Sequence, residues 1–243
     1  VGEITFTGIE INENQKLLPL QYSSRKLLWI GDSFMCGYGN EYSTPPPPEG
    51  NPTTGFHSIN ENNYLSWSSI VSRKVNAQAH QICYSGRGIY RNADGSNTTT
   101  IPYLFDFVNT SSEASPLWDH SKYTPEVIVI ALGTNDFGPE MTNHEDLCDS
   151  ILYIKKLRKL ISHLYEVHPN TTVVIITGNG LTDYWPSGLR RLSRSRNYNL
   201  EAIKFFTNKK IHHFELSTQT PPYGEDWHPT INTHRKMSKE FIP

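Results

Sequence analysis

Four short segments carry residues suited to one chemistry. Gly31-Asp32-Ser33 follows the apolar run Leu27-Leu28-Trp29-Ile30 directly. A buried strand ending in a tight turn there leaves one hydroxyl at the strand's carboxyl end, where reacting groups gather in open α/β sheets. A serine hydroxyl is a poor nucleophile until a base takes its proton. His228, in Asp226-Trp227-His228-Pro229, is the candidate base, because a free imidazole titrates near neutral pH. Attack on an ester carbonyl creates a negative oxygen that needs fixed donors. The Ser33 and Gly86 backbone N–H groups and the Asn135 amide are the candidate oxyanion donors, within Tyr84-Ser85-Gly86-Arg87-Gly88 and Gly133-Thr134-Asn135-Asp136. Each segment also has a plainer reading: Ser33 as a helix cap, His228 as a surface loop residue, Asn135 as a turn brace, Gly86 as a φ > 0 position.

The elements that must bring these segments together follow from hydrophobic patterning. Lys26–Ile30, Ala77–Tyr84, Val127–Leu132, Thr172–Thr177 and Ile211–Leu216 are short, apolar and rich in β-branched residues, as buried parallel strands are. Helical spacing is predicted over Asn63–Val75, Glu145–Val167, Arg190–Phe206 and Ile231–Phe241. Alternating strands and helices predict an α/β, three-layer αβα domain with a central parallel sheet of about five strands. Parallel strands aim their carboxyl ends the same way, so all four segments fall on one edge. Thr44–Glu61, with its run of four prolines, and the polar stretch Arg91–Thr124 are long for simple connectors. Residues 1–24 read differently: one or two strands around Asn12-Glu13-Asn14, with no α/β role. The expected division is therefore an N-terminal β segment, 1–24, and a hydrolase domain, 25–243.

Bulk properties narrow the class. The chain has 243 residues, enough for one large domain with a real core. A net charge of −2 sets up no field for nucleic acid or anionic membrane, and no apolar run approaches the length of a membrane span. The three cysteines, Cys36, Cys83 and Cys148, are too few and too irregularly spaced for a disulfide framework or a zinc site, although one bridge is open. The sequons at Asn97, Asn109 and Asn170 match the about three that chance gives at this composition. No signal peptide is visible in the chain, whose first residue is Val1.

In these blocks the chain resembles the SGNH (GDSL-type) hydrolases: Gly31-Asp32-Ser33, Ser85-Gly86, Gly133-x-Asn135-Asp136 and His228 in order. It is most similar to carbohydrate esterase family two and related acetylxylan esterases. Gly37-Tyr38-Gly39, Glu61-Asn62, Arg91-Asn92 and Asp226-Trp227-His228-Pro229 add to the match, which spans roughly residues 26–240. The resemblance implies strand order 2-1-3-4-5, a serine esterase acting on acetyl groups of polysaccharides, no cofactor or metal, and a secreted or cell-surface setting. It also implies that residues 1–24 are the last strands of a preceding β-sandwich domain. A monomer is expected. In the wider superfamily an Asp stands three residues before the histidine; here that position is Glu225, and Asp226 lies two before. Either could orient His228, or main-chain carbonyls could, as in the resembling family. Trp185, Tyr184, Trp227 and Tyr38 are the candidate sugar contacts. His212 and His213 alternate on a strand, one in and one out, and Arg87 and Arg91 brace loops or meet an anionic group. Two rival functions remain at this level: a short-chain thioesterase or lysophospholipase, and an inactive carbohydrate-binding protein.

Overall fold

The computed structural model describes residues 5–42, 53–109, 114–178 and 180–242. Five strands form one sheet: β1 (Lys26–Gly31), β2 (Gln78–Cys83), β3 (Val127–Ala131), β4 (Thr172–Thr177) and β5 (Ile211–Glu215). Every pairing is parallel and the order is β2-β1-β3-β4-β5. The helices are α1 (Ser33–Cys36), α2 (Trp67–Lys74), α3 (Ile101–Leu104), α4 (Ser150–Val167), α5 (Arg191–Ile203) and α6 (Ile231–Phe241).

Side chains alternate across a strand, and the core divides accordingly. Leu28, Ile30, Ile128, Ile130, Val173 and Ile175 face one way, against Leu157, Ile161 and Leu164 of α4. Trp29, Val129 and Ile176 face the other, against Trp67 and Val71 of α2 and Met237 of α6. Trp29 is fully buried, and its indole N–H donates to Ser72 Oγ at 2.9 Å, so the one polar atom of that ring is satisfied.

Local chemistry moves two helix starts from their predicted places. Asp149 accepts the Leu152 N–H and caps α4, so residues 145–149 turn rather than spiral, leaving Leu147 half exposed. Ser66 caps α2 through Ser69 N–H, which splits the predicted 63–75 helix into a 3-10 turn, Asn63–Leu65, and an α-helix. The strands expected near the N-terminus do not form among the described residues. Residues 5–24 run irregularly with a turn at Asn14, and Phe6, Leu17, Leu18 and Leu20 are exposed. A strand needs a neighbour for its N–H and C=O groups, and among the described residues no strand pairs with this segment. The four prolines 45–48 lie outside the described residues. No helix of the described residues is long and apolar enough to cross a membrane.

Candidate active site

Ser33 stands at the first position of α1, directly beyond β1. Asp32 caps this helix: its Oδ1 accepts the Phe34 N–H at 3.1 Å. Asp32 is thus a turn residue, and burial lifts its carboxyl to about 7. The nearly buried Ser33 Oγ lies 2.7 Å from Nε2 of His228.

His228 sits near the end of the connection that runs from β5 to α6. Its Nδ1 lies 2.9 Å from the main-chain oxygen of Glu225. A carbonyl oxygen only accepts, so Nδ1 carries the proton and Nε2 presents its lone pair to the serine hydroxyl. The ring is held on both sides, stacked on Tyr38 at 4.2 Å between centroids and met edge-on by Phe34 at 5.1 Å. Desolvation dominates its titration and lowers the pKa to about 4, so the base is neutral at neutral pH.

The two acidic candidates do something other than meet the imidazole. The buried carboxylate of Glu225 accepts from His57 N at 3.2 Å and Asn60 Nδ2 at 2.7 Å, and pairs with His57 Nδ1 at 2.8 Å. Asp226 accepts the Tyr38 hydroxyl at 2.6 Å and the backbone N–H groups of Thr54 and Gly55 at 3.0 and 3.1 Å. Both therefore clamp the histidine loop to the segment around residues 54–60. The loop needs clamping, because Asp226 and Trp227 both adopt positive φ, at 46° and 64°. Gly39 lets it sit against the nucleophile turn: a Cβ there would lie 2.4 Å from the Glu225 Cβ, while the Gly39 carbonyl accepts the Glu225 N–H at 3.2 Å.

The donors lie on the neighbouring strand ends. Gly86, in the turn after β2, has φ +78°, and a Cβ at that position would meet no heavy atom within 4 Å. Glycine is required there by conformation, and open space lies in front of it. Neither the Ser33 nor the Gly86 N–H has an acceptor among the described residues. Asn135 follows β3. Its amide nitrogen donates to the Arg87 carbonyl at 2.8 Å and lies 3.4 Å from Asp32 Oδ2, beyond the ordinary hydrogen-bond range.

Asp136 joins these two turns and was not singled out by sequence reasoning. Its buried carboxylate accepts the N–H groups of Ile89, Tyr90 and Arg91, and its backbone oxygen takes Arg91 Nε at 2.6 Å. Burial outweighs these bonds and raises its pKa to about 6. Arg91 also pairs with Asp146 at 2.6 Å, so it braces loops. The signal for this hub was the acidic residue beside Asn135; its partners, 45 to 47 residues away, could not be read from spacing.

Of the candidate sugar contacts, Trp185, Tyr184 and Trp227 are exposed, at 52%, 72% and 47%. Trp185 and Tyr184 lie in the β4–α5 connection, at the carboxyl edge of the sheet, with the Arg191 guanidinium 5.5 Å from the Trp185 ring. Trp227 packs against Tyr223. Tyr38 is partly committed to His228 and Asp226. His213 turns inward to Thr177 Oγ1 at 2.8 Å while His212 is exposed. The Cys36 and Cys83 sulfurs lie 2.8 Å apart, and Cys148 is buried.

A parallel sheet in this order, with a serine and a histidine meeting at its carboxyl edge, defines the SGNH hydrolase class. The model of the GDSL-like lipase/acylhydrolase family matches residues 29–236, and the chain belongs to that family. Among curated proteins it is 32% identical to cellulase/esterase CelE of Acetivibrio thermocellus over 99% of this chain and 28% of that protein. It is 26% identical to an acetylxylan esterase/glucomannan deacetylase of Cellvibrio japonicus over 100% of this chain and 62% of that one. A solved family two carbohydrate esterase from Clostridium thermocellum, in complex with cellohexaose, superposes with a TM-score of 0.79 at 32% identity, covering 93% of this chain and 64% of the other. The chain thus spans less than two thirds of the length of these relatives.

Proposed function

We propose that the chain is a serine esterase that removes acetyl groups from carbohydrate, through a Ser33–His228 dyad and an acyl-serine intermediate. The observation that carries this reading is the 2.7 Å contact between Ser33 Oγ and a lone-pair-bearing His228 Nε2. The N–H groups of Ser33 and Gly86, which have no acceptor among the described residues, and relatives named as acetylxylan and carbohydrate esterases, support it.

In the first step Ser33 Oγ attacks the acetyl carbonyl while His228 Nε2 takes the hydroxyl proton. The carbonyl oxygen becomes negative and is held by the Ser33 and Gly86 N–H groups and by the Asn135 amide hydrogen now lying toward Asp32. The Glu225 carbonyl, rather than a carboxylate, stabilises the imidazolium. His228 then returns the proton to the departing sugar oxygen as the C–O bond breaks. Water enters, gives its proton to Nε2 and attacks the acyl-serine; collapse releases acetate and restores the Ser33 hydroxyl. No cofactor takes part in these steps. The exposed indoles of Trp185 and Trp227 offer flat apolar faces suited to pyranose rings.

Release of acetate from acetylated xylan and glucomannan, measured for wild type and Ser33→Ala, tests the reading. Release by the wild type alone supports it; equal rates for both overturn the nucleophile assignment. Acyl-length profiling from acetate to octanoate separates it from a thioesterase or lysophospholipase, which favours longer chains. Oligosaccharide binding with no acetate release favours a carbohydrate-binding protein.

A further inference from the structure

A second cluster of reactive side chains lies at the opposite side of the sheet from Ser33. Asp106 follows α3, His120 precedes β3, and His163 stands near the end of α4, which descends from the carboxyl edge of β3 to the amino end of β4. The Nε2 atoms of His120 and His163 both lie 2.8 Å from Asp106 Oδ1, and the three atoms are mutually within 4.8 Å. From these juxtaposed atoms we propose that Asp106, His120 and His163 bind a divalent cation of the zinc class.

The orientation of the rings carries the argument. Phe105 stacks on His120 at 4.8 Å with 17° between planes and meets His163 edge-on at 5.7 Å. One aromatic side chain thus turns both Nε2 atoms toward a single point. The remaining nitrogen of His163, Nδ1, lies 3.3 Å from Glu166 Oε2. Without an ion, the Nε2–H groups of His120 and His163 both donate to Asp106 Oδ1; a cation would displace these protons, and Glu166 would then hold the remaining His163 proton on Nδ1, the usual outer arrangement of a metal-bound histidine. Tetrahedral zinc, with bonds of about 2.0–2.2 Å, places its donor atoms about 3.3 Å apart. The 2.8 Å contacts need to widen by only about half an ångström to meet that spacing.

Burial and composition select the ion. The side chains of His120, His163 and Asp106 are 13%, 33% and 36% exposed, so the site is walled on the protein side and open to water for a fourth ligand. Two imidazoles and one carboxylate suit zinc-type ions better than magnesium or calcium, which take oxygen sets. A cation here would tie the long β2–β3 connection to α4, and so act on stability and not on the ester chemistry.

Titration of the full chain with zinc, in competition with a chromophoric chelator, tests the site. One equivalent is expected for wild type. Asp106→Asn, His120→Gln and His163→Gln are each expected to weaken binding at least tenfold, and Glu166→Gln by about tenfold. Cobalt(II) is expected to give visible bands of a low-coordinate site in wild type that vanish in His120→Gln. Zinc bound equally well by wild type and the His120→Gln/His163→Gln pair, or a cobalt spectrum unchanged in that pair, overturns the proposal. Glu166 is exposed, so its variant keeps the test open should a ligand variant fold poorly.

Discussion

His228 Nδ1 donates to the main-chain oxygen of Glu225 at 2.9 Å, while the carboxylate of the same Glu225 points away, to His57 and Asn60. One residue therefore orients the imidazole with its backbone and anchors the loop with its side chain. Substitutions that keep the backbone should separate these two effects.

Glu225→Gln is expected to keep kcat on p-nitrophenyl acetate within about tenfold, because the orienting group is retained. It should lower stability by about 1–3 kcal/mol, since an acceptor facing three donors is replaced by a group that is half donor. Urea unfolding measures the second effect. A loss near 10⁴-fold, as when an orienting carboxylate is removed, would instead place the acid in the catalytic chain.

Ser33→Ala and His228→Ala are each expected to reduce kcat by about 10³-fold or more with an unchanged circular dichroism spectrum. The two losses should not add, because the hydroxyl and the imidazole act as one unit. A double variant markedly slower than either single variant would contradict this.

Asn135→Ala is expected to lower kcat by about 10²–10³-fold with a small change in KM, the signature of a donor used in the transition state. Steady-state kinetics on an acetyl ester decides it. A rise in KM alone would assign Asn135 to ground-state binding.

The rate is expected to be flat across neutral pH and to fall only near pH 4, where His228 takes a proton on Nε2 and can no longer accept one from Ser33. The same shift acts on folding. Burial lowers the folded pKa from 6.5 to about 4, so the unfolded chain binds the proton first and stability declines as pH drops through that window. His228→Gln should flatten this part of the stability profile. A kinetic midpoint near 6.5 would mean that the ring is solvated in solution.

Asp136→Asn is expected to cost about 1–3 kcal/mol, because the buried carboxylate gathers three backbone N–H groups and an amide offers one oxygen. Since those bonds position the Gly86 and Asn135 turns, kcat should fall with stability. Urea midpoints and kcat measured on the same preparation check the coupling.

Much of this molecule is written in its local sequence. Strand patterning placed β1 to β5 within a residue or two: the central strands β1, β3 and β4 are near-continuous apolar runs, while the outer strands β2 and β5 carry polar residues and are only partly buried. The serine, glycine and asparagine blocks were visible because each sits just beyond a strand end, and parallel topology sends all such ends to one edge; the histidine block lies just before the last helix. What the local sequence could not decide were choices made by partners distant along the chain. Spacing left Glu225, Asp226 and main-chain carbonyls all open for orienting His228; packing turned one carboxylate to His57 and Asn60, the other to Tyr38, and left the imidazole to a carbonyl. Asp106, His120 and His163 show no motif in a linear reading, since they belong to two loops and a helix that meet only when the layers pack. The apolar residues of 5–24 promised strands, yet a strand exists only with a neighbour to bond. Patterning and turn chemistry act over a few residues and are legible there; hydrogen-bond partners and burial depend on which surfaces the finished fold brings together.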